Sequence, residues 1–302
     1  MNKNKIFIKN LFESVLSKLN SNDNIWMSID LVSIISILNI RKKDEIKETL
    51  EILEYFIENF SKNLNNLLIP SFCFEFPDKK RFDTQFSKPL PKLGSLPNYL
   101  FKKNYGYRTL HPFYSFYVFG NNKLNFILKS QEFTDSVGEN SIFNYINLNK
   151  YKLISIGHHY TSALSSIHQC EYSLGVSYRS KIFFNGILID KNRNISKNGN
   201  FNFYGRNREI CDFSGLTING AHQLKNSNIS SQYLFFYKNS SIGYYLLELD
   251  KFNEYILKNH NKNNILFDYI PKIQKKEFEV INTNLSSNLY KKFILEKSLK
   301  SL

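Results

Sequence analysis

Between residues 44 and 72 the spacing of apolar side chains changes period once, and that change narrows the fold more than any other feature of the chain. Ile46, Leu50, Leu53, Ile57 and Phe60 recur every three or four residues, the spacing that gathers side chains on one helix face. Asp44 stands where an N-cap would accept the first free N–H groups, so the pattern predicts a helix over 44–64. The run that follows, Leu67-Leu68-Ile69-Pro70-Ser71-Phe72, reads as an apolar strand interrupted by a proline. Helix alternating with strand is the signature of an α/β sheet. Residues 4–19 carry a second helical stripe in Leu11, Phe12, Val15 and Leu19, and 24–31 read as a strand followed by a helix start. Further strands are expected at 113–119, closed by Gly120, and at 151–157, with a helix over 160–171.

Beyond residue 175 the pattern shifts to short β-like runs at 182–189, 233–237 and 244–247. Asn- and Gly-rich stretches around 192–205 and 238–243 read as turns between them. Residues 77–97 hold Pro77, Pro89, Pro91 and Pro97 together with Gly94, the composition of a long surface loop. The expected architecture is a three-layer α/β/α fold with a mixed central sheet and additional β structure in the second half. One domain spans 1–264, and 265–302 form a basic, helical appendage.

The chain has 302 residues and a formal net charge of +14. Such charge fits a nucleic-acid surface, a membrane surface or an anionic small ligand. The positive residues come in groups of two or three, such as Arg41-Lys42-Lys43 and Lys79-Lys80-Arg81, which disfavours a nucleic-acid-binding arm. Cys73, Cys170 and Cys211 are far apart and odd in number, which suits a reduced, cytoplasmic compartment better than a disulfide framework. Lys9, Glu13 and Lys18 interrupt the apolar residues near the start, and no apolar run approaches the length of a membrane span. No Walker loop, GxGxxG or GxSxG element is present, and His158, His159 and His168 lack a third ligand at metal spacing.

Ser165-Ser166-Ile167-His168-Gln169-Cys170-Glu171 sets a histidine three residues before a carboxylate, after the apolar run 153–157. On a helix these two share a face, and the carboxylate could orient the imidazole as a general base. Taken alone, a purely structural pair is the more common meaning of this spacing. Four other segments carry candidate chemistry. Arg108-Thr109-Leu110-His111-Pro112 could line a pocket edge or form an ordinary loop-to-strand junction. Ser141 after Gly138 reads first as a helix cap. The alternating basic residues of Tyr178-Arg179-Ser180-Lys181 could meet a phosphate, but read first as a solvated strand face. Asp212 reads first as a surface carboxylate.

Taken in order, these segments resemble the aminoglycoside 3-N-acetyltransferase family, including its relatives in surface-polysaccharide gene clusters. The matching elements are Pro70-Ser71-Phe72; Phe82-Asp83 with Gly94; Arg108, Thr109, His111, Pro112 and Ser115; Gly138, Ser141 and Phe143; and Gly157 followed by Ser165, His168 and Glu171. The stretch 178–183 is similar to the polysaccharide branch, with one residue fewer between Arg and Lys. The chain departs from the family at Ser28-Ile29-Asp30-Leu31, where a His-Ser step is usual, at Ser165 in place of Thr, and at Asn65-Asn66 in place of glycines.

The resemblance implies acyl transfer from acetyl-CoA, or another acyl-CoA, to the amine of an amino sugar or nucleotide-linked sugar, without a metal. It implies a catalytic set of His168 as base, Glu171 as its orienter and Ser165 as an oxyanion donor. Leu31, Val32 and Ser33 at a helix start, with Arg108 and Ser115, would hold the coenzyme. Asp83, His111 and Asp212 would meet the acceptor. A homodimer is left open. Asp78 and Asp83 are the only carboxylates in 77–97, against Lys79, Lys80, Arg81, Lys88 and Lys92. That balance favours a glycan acceptor over a polycationic antibiotic, the alternative within the family. A non-catalytic acyltransferase-like scaffold and a nucleic-acid-binding protein are the readings from other classes.

Overall fold

The computed structural model describes residues 3–192, 194–209, 211–216, 220, 223–224, 227, 229–261 and 265–271. In chain order its elements are α1 (Lys3–Leu16), β1 (Asn24–Ile29), α2 (Leu31–Leu38), α3 (Lys43–Ser61), β2 (Asn66–Pro70), α4 (Phe76–Lys79) and β3 (Arg81–Asp83). A 3-10 turn (Pro91–Leu93), α5 (Ser95–Lys102), β4 (Tyr107–Arg108), β5 (Phe116–Phe119), α6 (Lys123–Ser130), α7 (Ile142–Leu148) and β6 (Lys152–Ile156) follow. A second 3-10 turn (Tyr160–Ser162) leads to α8 (Ile167–Ser173), β7 (Arg179–Ile189), β8 (Ile195–Arg206) and β9 (Cys211–Leu216). The last elements are β10 (Ser230–Tyr237), β11 (Ser240–Glu248), α9 (Leu249–Asn259) and β12 (Phe267–Pro271).

Seven strands form the central sheet in the order β10-β11-β6-β1-β2-β5-β4. The middle strands β6, β1 and β2 are parallel, while β11 and β5 flank them antiparallel, so the sheet is mixed as expected. Strand alternation divides the side chains between two cores. Ile25, Met27, Leu67, Ile69, Ile154 and Ile156 face one core with residues of α1, α2, α3 and α5. Trp26, Leu68, Leu153, Phe116 and Val118 face the other, with residues of α6, α7, α8 and α9 and the inner side of β7 and β8. The three-layer α/β/α arrangement follows from that division. A smaller sheet, β3-β7-β8, supplies the additional β structure, and β9 pairs with β12.

Several local expectations change. Helix α3 starts at Lys43, with Lys42 at its cap position; Asp44 sits inside the first turn, where its charge faces the helix dipole. The Asn- and Gly-rich stretch 192–205 is mostly strand: β8 pairs with β7 along almost its whole length. Its Asn residues alternate with Phe201 and Phe203, and pairing with a strand already in place overrides weak β propensity. The ladder of β5 begins at Phe116 because the His111 ring takes the N–H groups of Phe113 and Tyr114. The expected helix 160–171 is a 3-10 turn and then α8. Of the segment read as a helical appendage, residues 267–271 form β12, and 272–302 lie outside the described residues. No helix among the described residues is long and apolar enough to cross a membrane.

Candidate active site

Strands β1, β2 and β6 run parallel, so their carboxyl ends open at one edge of the sheet, where α/β folds form ligand crevices. The chain leaves β6 through Gly157, whose positive φ of 82° and close approach to Ser33 suit glycine alone. It then crosses the crevice mouth at His158, Ser162 and Ser165 before entering α8.

Helix α8 is held from behind by the 138–141 turn. Gly138 N–H donates to Gln169 Oε1 at 2.8 Å, and the Ser141 hydroxyl lies 3.2 Å from the same oxygen. Ser141 also caps α7 by accepting from the Asn144 N–H, as its spacing implied. On α8, His168 Nδ1 lies 2.7 Å from Glu171 Oε2; the histidine is half-buried and the carboxylate fully buried. The chain then turns at Gly175 and returns as β7. That return sets Tyr178 Oη 3.0 Å from Glu171 Oε1 and Arg179 Nε 2.8 Å from Oε2. Arg179 is itself held by the Tyr204 carbonyl at 3.3 Å and the Ser214 hydroxyl at 3.5 Å.

Burial pushes the Glu171 carboxyl upward, but the hydrogen bond and charge of His168, the Arg179 charge and the Tyr178 hydroxyl outweigh it. The net effect holds the group below the usual carboxylate range. An ionised carboxylate only accepts, so the proton between the pair belongs to His168 Nδ1 and the lone pair of the neutral ring is on Nε2. Burial first, then the Glu171 charge, pushes the Tyr178 phenol up, so it stays a donor. Tyr178 and Arg179 are the partners that sequence reasoning gave to solvent. The alternation that put Arg179 and Lys181 on one face was visible, but not the carboxylates facing them. Lys181 meets Asp135 at 2.8 Å, and Asp135 also receives Asn202 at 2.6 Å.

The other expected site residues lie elsewhere. Arg108 is buried, with Nε 3.0 Å from the Ser71 hydroxyl and 3.1 Å from that of Ser115. Its Nη2 donates to the Ser71 carbonyl at 2.6 Å and its Nη1 to the Ser87 carbonyl, so it ties β2, β5 and the 83–87 turn together. Desolvation lowers its pKa from the ordinary arginine value. Asp83 is buried beside it, bonded to Arg81 at 3.1 Å and to the Gln85 N–H at 3.0 Å. His111 is buried too, its Nδ1 accepting from two backbone N–H groups and its Nε2 donating to the Asp135 carbonyl at 3.1 Å. Burial lowers its pKa to about 4, against a small rise from Asp135. These residues brace the crevice from within and do not face it. The side chain of Asp212, on β9, lies outside the described residues.

At the start of α2, Asp30 accepts from the Val32 N–H at 3.0 Å and from the Ser33 hydroxyl at 2.7 Å. Val32 is exposed and Leu31 buried. This helix start therefore already holds a carboxylate where a phosphate was expected, a consequence of the Ser28-Ile29-Asp30-Leu31 departure. Asp30 and His158 both line a cavity of about 170 Å³ at the carboxyl ends of β1 and β2, which Ser165 also borders. Burial pushes His158 below the ordinary histidine value, opposed by Asp30, and its buried Nε2 has no hydrogen-bond partner among the described residues.

A half-buried imidazole paired with a buried, ionised carboxylate, close in the chain to the crevice-lining Ser165, suits base-assisted acyl transfer. The family model described as aminoglycoside 3-N-acetyltransferase matches residues 71–207, the span that carries Arg108, the 138–141 turn and the His168–Glu171–Arg179 cluster. The resemblance to the aminoglycoside 3-N-acetyltransferase family holds. Several solved structures share the fold. AAC-IIIb, solved as a binary complex with CoASH, has a TM-score of 0.59 at 12% identity over 84% of this chain and 96% of its own. AAC-VIa bound to sisomicin has a TM-score of 0.57 at 12% identity over 85% and 95%. The YokD protein from Bacillus subtilis has a TM-score of 0.54 at 14% identity over 80% and 94%. No curated protein matches the sequence.

Proposed function

We propose that this chain is a CoA-dependent N-acyltransferase, moving an acyl group from acyl-CoA to the amine of an amino sugar, with His168 as general base. The observation that carries the proposal is the His168–Glu171 pair, backed by Arg179 and Tyr178, three residues along the chain from Ser165, which lines the crevice. An ammonium has no lone pair to attack with, so the acceptor reacts as the free amine, its first proton having gone to solvent. Its nitrogen bonds to the thioester carbon as the carbonyl electrons move onto oxygen, and Nε2 of His168 takes one of the two remaining protons on that nitrogen. As the electrons return, the C–S bond breaks, and the departing CoA sulfur takes that proton from Nε2, leaving a neutral amide and a neutral thiol. Glu171 is a positioning residue here: it fixes the ring through Nδ1 and compensates the imidazolium formed mid-reaction. The Ser165 hydroxyl at the crevice is a donor for the oxyanion.

For the acceptor, a glycan-biosynthetic amino sugar is preferred over an aminoglycoside antibiotic. The basic residues of 77–97 support that choice, with Lys92 lining the crevice. The experiment is a screen of amino-sugar acceptors with acyl-CoA, read by free-thiol release, for the native chain and His168→Ala. The expected result is turnover by the native chain and a loss of about a hundredfold or more in the variant. Equal turnover by both would remove His168 from the role.

A further inference from the structure

The central sheet ends in two unlike edges. The β4 edge is two residues long, and Lys191 Nζ stands 4.8 Å from the centre of its Tyr107 ring, so length and charge both blunt it against another strand. The β10 edge runs for eight residues, Ser230–Tyr237, with neither charge nor proline. Among the described residues no strand pairs with its outer side, and Leu234 and Phe236 are 54% and 71% exposed. The β10–β11 turn closes on the pair Tyr237–Ser240 through Lys238 and Asn239. A two-residue turn hydrogen-bonds its closing pair, so the peptide groups of Tyr237, Phe235 and Tyr233 point to β11, and those of Phe236, Leu234 and Gln232 point outward. Side chains alternate in the same rhythm. Tyr233, Phe235 and Tyr237 take the face covered by α1, where Phe7 packs 5.7 Å from the Phe235 ring and 4.8 Å from that of Tyr237. Three exposed lysines crowd that face. Lys18 Nζ stands 5.2 Å from the centre of the Tyr233 ring and Lys238 Nζ 5.7 Å from that of Tyr237, and Lys3 beside Lys238 lowers its pKa. None of the three has a carboxylate partner among the described residues, and 225–247 contain no Asp or Glu.

We propose that β10 is a docking edge for an extended segment of a partner protein, which adds a strand to the sheet and alternates acidic with apolar side chains. Opposite Tyr233 and Tyr237 that strand carries carboxylates, which meet Lys18 and the Lys3–Lys238 pair. Opposite Leu234 and Phe236 it carries apolar side chains. The pattern is acid, apolar, any residue, apolar, acid, and it reads the same in either strand direction. A second copy of this chain fits less well. Antiparallel pairing of β10 with itself, in the register that joins Leu234 to Phe236, also joins Tyr233 to Tyr237 and sets the Lys18 and Lys238 ammonium groups of the two copies against each other.

The probe is a peptide blocked at both ends, Ser-Glu-Val-Thr-Val-Glu-Ser, titrated into the full chain at low salt and read by calorimetry. It should bind saturably, and lysine in place of both its glutamates should weaken binding at least about tenfold. Phe236→Lys in the protein should weaken it as much, while Leu128→Lys, on the similarly exposed crest of α6, should leave it unchanged. Bound peptide should slow hydrogen exchange at the amides of Gln232, Leu234 and Phe236, and not at Tyr233 and Phe235, which β11 already holds. No binding, equal binding of the glutamate and lysine peptides, or binding that leaves the three outward amides exchanging freely would overturn the proposal. Self-association of the native chain that protects the same amides before peptide is added would give the edge to a second copy and overturn it as well.

Discussion

His168 and His111 are wired in opposite senses, and the contrast separates chemistry from support. At His168, Nδ1 faces a carboxylate, so it carries the proton and leaves the lone pair on Nε2. At His111, Nδ1 accepts from the Phe113 and Tyr114 N–H groups, at 3.2 and 2.9 Å, and Nε2 spends its proton on a carbonyl. The first ring has a free basic nitrogen and a counter-charge for its cation. The second has no free nitrogen, and burial outweighs the Asp135 charge and keeps it neutral. A histidine can act as a base only where its environment pays for the imidazolium, and that is decided by what sits on Nδ1.

Four measurements can break or sharpen this contrast, from the largest effect to the smallest. His168→Ala should lose about a hundredfold or more in turnover while its unfolding free energy stays within about 1 kcal/mol, since the ring is half-buried. If His111→Ala loses turnover with unchanged stability, the two assignments are reversed. His111→Ala leaves two backbone N–H groups and a carbonyl unpaired in the core, so denaturant unfolding should show a loss of about 2–4 kcal/mol.

Acid stability is the third measurement. The folded pKa of His111, about 4, lies below its ordinary 6.5, so the unfolded chain binds its proton more tightly. Its contribution is complete above pH 6.5 and is lost as pH falls toward 4, about 3 kcal/mol in all. Glu171 also has a lowered folded value, so its contribution is present above its unfolded pKa and is lost at still lower pH, as the solution passes through the folded one. Substituting His111 should flatten the unfolding curve between pH 6.5 and 4. A curve of the same slope in His111→Ala would remove His111 as its source.

The last and smallest effect concerns Arg179. Removing its charge in Arg179→Met lets the His168–Glu171 pair hold a proton more tightly. The acid limb of the kcat/KM profile should then move to higher pH, since the Arg179 charge lowers the Glu171 pKa. Arg179→Lys should restore most of the native limb. A fall in rate with no movement of the limb would mean that Arg179 only braces β7.

Much of the scaffold was legible because it is written locally. The stripes of α1 and α3 and the apolar runs of β1, β2 and β6 follow from the 3.6 and 2 periods, and Ser141 announced its cap by spacing. β8 was hidden because Asn and Gly argue for turns until a partner strand supplies the pairing. Asp44 lost the cap to Lys42 because helix ends are settled by the backbone path leading into them.

The same division holds for the site. The chain by itself determined that His168 and Glu171 meet, because three residues on one helix bring them together whatever surrounds the helix. It did not determine the state of that pair. Only the turn at Gly175 and the pairing of β7 with β8 bring Tyr178 and Arg179 onto Glu171. Only the packing of β2 against β5 turns Arg108 inward. Charge interactions depend on distance and on the local dielectric, and both are set by segments remote in sequence. Periodicity fixes which side of an element a residue occupies; the tertiary structure decides what it finds there.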